Sequence, residues 1–139
     1  MKPIQAFTDP GGRIIPSILS FSASDPTCGA GLHADILTIA ALGGRPLGVT
    51  TGVLIQSTAL FEGLLPVDDD WIADQARAVL EDIPVHAFKV GTLGGVEGIV
   101  AVAEVLSDYP DIPVVYDPAL MLGSNDPLAD EDFLATLGE

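Results

Sequence analysis

The chain has 139 residues and a formal net charge of −15, with five Lys and Arg against 20 Asp and Glu, and 48% of its residues are hydrophobic. So acidic a balance argues against nucleic acid or an anionic membrane surface as partner, while the apolar content points to a packed fold rather than disorder. No apolar run reaches the ~20 residues of a membrane span; residues 1–13 lack the apolar centre of a signal peptide, and a single cysteine, Cys28, fits a reducing, cytoplasmic setting.

In chain order, residues 1–12 read as a polar loop, with Asp9-Pro10-Gly11-Gly12 as a turn. The apolar run from Ile14 to Ser22 predicts a strand. Gly29 to Leu42 predicts a helix with Leu32, Ile36, Ile39 and Ala40 on one stripe, ended by Gly43-Gly44. Val49 to Gln56 reads as the next strand, with an interior that is β-branched and apolar, as a strand covered on both faces would be. Leu60 to Val67 is a shorter extended piece. Asp68, Asp69 and Asp70 follow. They admit a metal-site reading, but carboxylates at the N-terminus of a helix over Trp71 to Asp82 is the better one. Ile72, Ala76, Val79 and Leu80 give that helix its buried stripe, with Trp71 at its start.

His86 to Val90 predicts a strand, Val96 to Leu106 a helix, and Ile112 to Tyr116 a strand stopped by Asp117-Pro118. Asp126-Pro127-Leu128 opens a segment that turns helical towards Glu139. His33 and His86 share no metal-ligand spacing, and His33 falls on the outer face of its helix. Strands alternating with helices through short connections predict an α/β three-layer sandwich. Its sheet should be mainly parallel with helices on both faces, and residues 1–139 should form a single domain.

The stretch Ser22-Ala-Ser-Asp-Pro-Thr-Cys-Gly-Ala-Gly-Leu-His-Ala-Asp35 joins the first strand to the first helix. Asp25-Pro26 breaks the strand and Thr27 can cap the helix. Gly29, Ala30 and Gly31 keep side chains away, so a ligand can approach the backbone at the helix N-terminus. Asp35, one turn in, can aim a carboxylate back at the same place. Cys28 reads as a small buried thiol. In an open parallel sheet ligands lie beyond the C-terminal strand ends. Ala23 and Asp25, Gln56, Gly91 and Thr92, and Asp117 and Ala119 all fall at such ends. A Gln at Gln56 can donate and accept at once, which suits a heterocycle edge, whereas an ionised Asp35 can only accept, which suits an amine.

The motif Asp25-Pro-Thr-Cys-Gly-Ala-Gly-Leu-His-Ala-Asp35 resembles the signature of the hydroxymethylpyrimidine/phosphomethylpyrimidine kinases, of the ribokinase-like superfamily. Thr50–Thr58, ending in Gln56-Ser57-Thr58, resembles their strand ending in Gln-Asn-Thr. Lys89-Val-Gly-Thr-Leu93 resembles their Lys-Ile-Gly-Met-Leu, and Val114-Val-Tyr-Asp-Pro118 their Val-Val-Leu-Asp-Pro. The resemblance covers Ile14 to Leu128, the N-terminal, substrate-side part of the family's fold. It implies ATP- and Mg²⁺-dependent phosphorylation of a hydroxymethyl-aminopyrimidine in thiamine biosynthesis. It further implies a substrate site at Ala23, Asp35, Gln56, Thr92 and Ala119, and a phosphate or metal end at Asp117 and Ser124.

The chain departs from the family pattern at several points. Ala23 replaces a Gly and should narrow the pocket floor by a methyl group. Thr92 replaces a Met and Ala119 a Val, which removes apolar surface. Cys28 stands where the family usually has Gly. Gly123-Ser124-Asn125 replaces Lys-Ser-Gly, losing a cation, and the family's late Gly-x-Gly-Asp or Gly-x-Gly-Cys motif has no counterpart in these residues. No catalytic residue is assigned for that reason, and the ATP and Mg²⁺ implied by the family lack supporting residues. Three functions stay open: the substrate half of a kinase, inactive alone; a heterocycle-binding module without turnover; or an assembly module that pairs through an uncovered sheet edge as a homo-oligomer.

Overall fold

A computed structural model describes residues 5–119, 121–122, 126–127 and 131–138. The chain runs β1 (Ser17–Ser24), α1 (Gly31–Ala41), β2 (Arg45–Gln56), β3 (Phe61–Pro66), α2 (Asp69–Leu80), β4 (Ala87–Val90), α3 (Val96–Ser107) and β5 (Val114–Tyr116). The short strands β6 (Met121–Leu122) and β7 (Asp126–Pro127) and the helix α4 (Glu131–Leu137) follow. One five-stranded sheet has the order β3-β2-β1-β4-β5. All its pairings are parallel except β2 with β3, which form a hairpin. This is the α/β architecture expected from the alternation of elements.

β1 is the central strand, and its side chains alternate between two covered faces, as a buried parallel strand requires. Leu19 and Phe21 join Val49, Phe88 and Val90 in a core closed by Ile72 of α2 and Val102 and Val105 of α3. Phe21 and Phe88 pack at 5.9 Å between ring centroids, and Phe88 meets Tyr109 edge-on. Each such side chain, fully buried, contributes about 2–3 kcal/mol from removed apolar surface. The opposite face carries Ser20 and Lys89, both bonded to Asp35 of α1. Leu32 of α1 lies directly over Gly48, where a β-carbon would come within 3.0 Å of it. The connections β1-α1-β2 and β4-α3-β5 leave the centre in opposite directions, so a right-handed crossover puts α1 and α3 on opposite faces.

Several boundaries differ from the sequence reading, each for a local reason. Ile14 pairs in an isolated antiparallel bridge with Thr8, and β1 begins only after Pro16. The Asp9–Gly12 turn between them is tied by Asp9, which accepts from the Arg13 amide and side chain. β2 starts at Arg45, ahead of the expected Val49. Pro46 and Gly48 argue against a strand locally, but Arg45 to Gly48 pair with Ser17 to Ser20. α2 begins at Asp69, with Asp68 as N-cap accepting from the Asp70 amide, as the helix-terminus reading of the acidic triplet expects. Trp71 stands 70% exposed on the outside of that helix.

Candidate functional site

β1 lies between β2 and β4, so the chain turns one way after β1 and the other way after β4. A crevice opens at such a reversal, beyond the C-terminal strand ends. It holds a cavity of about 480 Å³. Its walls come from Ser22, the start of α1, Leu54 and Gln56 of β2, Lys89 of β4 with Gly91 and Thr92 after it, and Asp117 to Ala119 after β5. The size suits a small heterocycle.

Of the residues picked out from sequence, Asp35, Gln56, Thr92, Asp117 and Ala119 line this one cavity. Ser124 lies outside the described residues. Ala23 does not line the cavity: it is fully buried in a small cluster with Leu54, Phe61 and Leu64. Its methyl therefore faces the β2–β3 hairpin rather than narrowing a floor. Its amide donates to the Thr92 carbonyl at 3.0 Å, and Thr92's amide donates to Ser22 Oγ at 3.1 Å. Thr51 Oγ1 also donates to that carbonyl. These bonds fasten the turn after β4 to the end of β1. A side chain at Gly91 would meet Ser22 Oγ at 2.7 Å and Lys89 Nζ at 3.1 Å, so glycine keeps that wall open.

The loop before α1 is organised differently from the sequence expectation. Thr27 is not the N-cap. Ala30 is, and it makes no side-chain capping bond. Asp25 is the centre instead. It is 0% exposed, and its carboxylate accepts from the Thr27 amide and hydroxyl, the Ala30 amide and Gln56 Nε2. Burial pushes its pKa up, but the bonds from Thr27, Ala30 and Gln56 outweigh burial and hold it below the ordinary value. Gly31 has φ +63 and lies so close to the Ala23 carbonyl that a β-carbon would come within 2.3 Å of that oxygen. Cys28 is exposed, not buried, with φ 57. A left-handed backbone there gives a physical reason for glycine at this position. His33 faces inwards: its Nδ1 lies 2.7 Å from the Asp25 carbonyl oxygen.

Two polar groups line the cavity. Lys89 Nζ donates to both oxygens of Asp35, at 2.9 and 3.0 Å, and Ser20 Oγ donates to Asp35 Oδ2. At the end of β2, Gln56 gives one amide N–H to Asp25 Oδ2 at 3.0 Å, which leaves Oε1 and its second N–H for a ligand. Sequence reasoning left Lys89 out of the site. The signal was available, because Lys89 is one of only five basic residues and stands at a strand end. Among the described residues it is the one cation lining the cavity.

A mainly parallel sheet with its cavity at the strand reversal defines an α/β protein of the ribokinase-like kinases, and solved structures of that class superpose on it. Phosphomethylpyrimidine kinase of Clostridium difficile 630 does so with a TM-score of 0.79 at 31% identity, over 88% of this chain and 53% of that one. A reconstructed last common ancestor of vitamin kinases gives 0.75 at 33% identity, over 90% and 56%. The phosphomethylpyrimidine kinase family profile matches residues 25–139, and the chain belongs to that family. The hydroxymethylpyrimidine/phosphomethylpyrimidine kinase of Escherichia coli K12 is 34% identical over 86% of this chain, which spans 45% of that protein. A thiamine biosynthesis multifunctional protein of Corynebacterium efficiens is 36% identical over 89% of the chain, which spans 17% of it. The chain thus spans about half or less of the length of the relatives it matches.

Proposed function

We propose that this chain forms the substrate side of a hydroxymethylpyrimidine/phosphomethylpyrimidine kinase of thiamine biosynthesis. It would hold a hydroxymethyl-aminopyrimidine without itself transferring phosphate. The observation that carries this reading is the meeting of Asp35, Gln56, Thr92 and Ala119, far apart in sequence, around one cavity of about 480 Å³. Asp35 and the Gln56 carbonyl are acceptors for an exocyclic amine. Thr92 and Ala119 form walls for the ring, and Ala23 supports Leu54 from behind. Asp117, after β5, would serve as the phosphate or metal end, together with Ser124, which lies outside the described residues.

The residues at the cavity do not fit a bound nucleoside triphosphate. Phosphoryl transfer requires cations and backbone donors on the phosphates, and Lys89 is already engaged by Asp35. No step is therefore assigned to ATP or Mg²⁺ on this chain, and the nucleotide side belongs to the part of the family fold beyond these residues. Calorimetry of the purified chain with 4-amino-5-hydroxymethyl-2-methylpyrimidine should give micromolar binding, and a coupled assay with ATP should give no turnover. Absence of binding, or ATP-dependent turnover, would overturn the proposal.

A second reading, assembly, is favoured by β5. It is a sheet edge, and Val114, Val115 and Tyr116 are 45%, 60% and 49% exposed. Pairing of two copies, or of this chain with the remainder of a kinase fold, would cover that edge. No helix among the described residues is long and apolar enough to cross a membrane.

A further inference from the structure

We infer that Asp25, which does not line the cavity, is the positioning residue that decides which heterocycle edge the cavity accepts, because it fixes the orientation of the Gln56 amide. The inference rests on the aminopyrimidine reading above and adds a selectivity to it.

The Asp25 carboxylate is completely buried at the root of the βα loop. Oδ1 accepts from the Thr27 amide at 2.9 Å. Oδ2 accepts from the Ala30 amide at 3.1 Å and from Gln56 Nε2 at 3.0 Å, and the Thr27 hydroxyl lies 2.9 Å from both oxygens. An ionised carboxylate has no proton to give. Turning the Gln56 amide over would set Oε1 against the buried Oδ2 with no hydrogen between them. The amide therefore has one permitted orientation. One N–H of its nitrogen is committed to Asp25, so Oε1 and the second N–H are presented to a ligand in one fixed order.

Strand geometry reinforces this. The β2–β3 register shifts between Ile55 and Gln56. Such an irregularity re-aims a side chain at a strand end, and here Gln56 reaches a residue 31 positions away. Asp35 is likewise an acceptor. Oε1 and Asp35 are thus both acceptors in the cavity lining, and a ring carrying an amine is matched at either. A ring of the same shape carrying a carbonyl would bring oxygen against oxygen. Discrimination of this kind comes from the polar group that the mismatch leaves unpaired.

Two measurements test the inference. In the ¹⁵N-labelled chain, the Gln56 side-chain amide is identified by its loss in Gln56→Glu. Its proton exchange should be at least about tenfold slower than that of Gln5, which is exposed. Exchange as fast as that of Gln5 would overturn the inference, whatever any variant does. In the second, the wild type and Asp25→Asn are titrated with 4-amino-5-hydroxymethyl-2-methylpyrimidine and with its 4-oxo counterpart. The wild type should prefer the amine by about tenfold or more. Asn at this position offers an N–H, lets the amide turn over, and should shrink or reverse that preference. An undiminished amine preference in a folded Asp25→Asn would overturn the inference. If neither compound bound the wild type, the aminopyrimidine reading would fall, and amide exchange alone would decide whether Asp25 fixes Gln56.

Discussion

Removing the Asp25 carboxylate would strand the Thr27 and Ala30 amides and the Gln56 amide at once. Asp25→Ala should therefore cost about 3 kcal/mol in urea unfolding, more than an ordinary surface change. Its pKa is lowered in the fold, so its contribution is complete above the ordinary value of 3.8 and disappears as pH falls through the folded value. Acid unfolding of the wild type should steepen below about pH 4, and Asp25→Asn should flatten that limb when followed by circular dichroism. Cys28 tests backbone strain alone. With φ 57 and an exposed thiol, Cys28→Gly should raise stability by about 0.5–1 kcal/mol. A loss of stability would show that the thiol makes a contact worth more than the strain. The importance of Asp25 was legible in the Asp-Pro turn, but its bond to Gln56 was not, because no local rule joins residues so far apart in sequence.

The turn into α1 depends on a close approach of backbone to backbone. At Gly31 both the positive φ and the nearby Ala23 carbonyl exclude a side chain. Gly31→Ala should displace the start of α1, cost more than about 2 kcal/mol and weaken heterocycle binding measured by calorimetry. The Gly-Ala-Gly run pointed to a ligand at this turn. The coordinates add a purely structural demand for the second glycine. Element types were readable from β1 to β5, because buried parallel strands and amphipathic helices carry different periods, whereas the two-residue strands β6 and β7, where the sequence suggested a segment turning helical, are too short to show one. The start of β2 was not readable either. Pro46 and Gly48 disfavour a strand locally, and only pairing with β1 overrides them. Thr27 looked like a cap by residue type, yet its hydroxyl serves the Asp25 carboxylate instead.

Across the whole molecule, the sheet is uneven. α1 covers β1 and β2 on its face, while a groove of about 280 Å³ beside it, lined by Ile18, Ile39, Ala87 and Val115, is left open towards β5. The open groove and the edge of β5 lie together, which is the basis of the assembly reading. Under that reading the chain should associate in a concentration-dependent way in sedimentation velocity. Val115→Lys, which sets a charge on the edge strand, should shift it to monomer without loss of the far-ultraviolet signal. A wild type that stays monomeric at high concentration would remove that reading and leave the binding reading untouched.

The amino-acid sequence by itself determined the alternation of strand and helix, the places where strands end in chemistry-bearing residues, and the family. Those depend on local periodicity, on turn chemistry and on motifs in a fixed order. Only the tertiary structure decided that Ala23 supports a hairpin rather than a pocket floor, that Lys89 holds Asp35, and that Gln56 is turned by Asp25. Each of these joins residues from different elements. A side chain's partner across a sheet is set by strand order and register, which no single segment encodes.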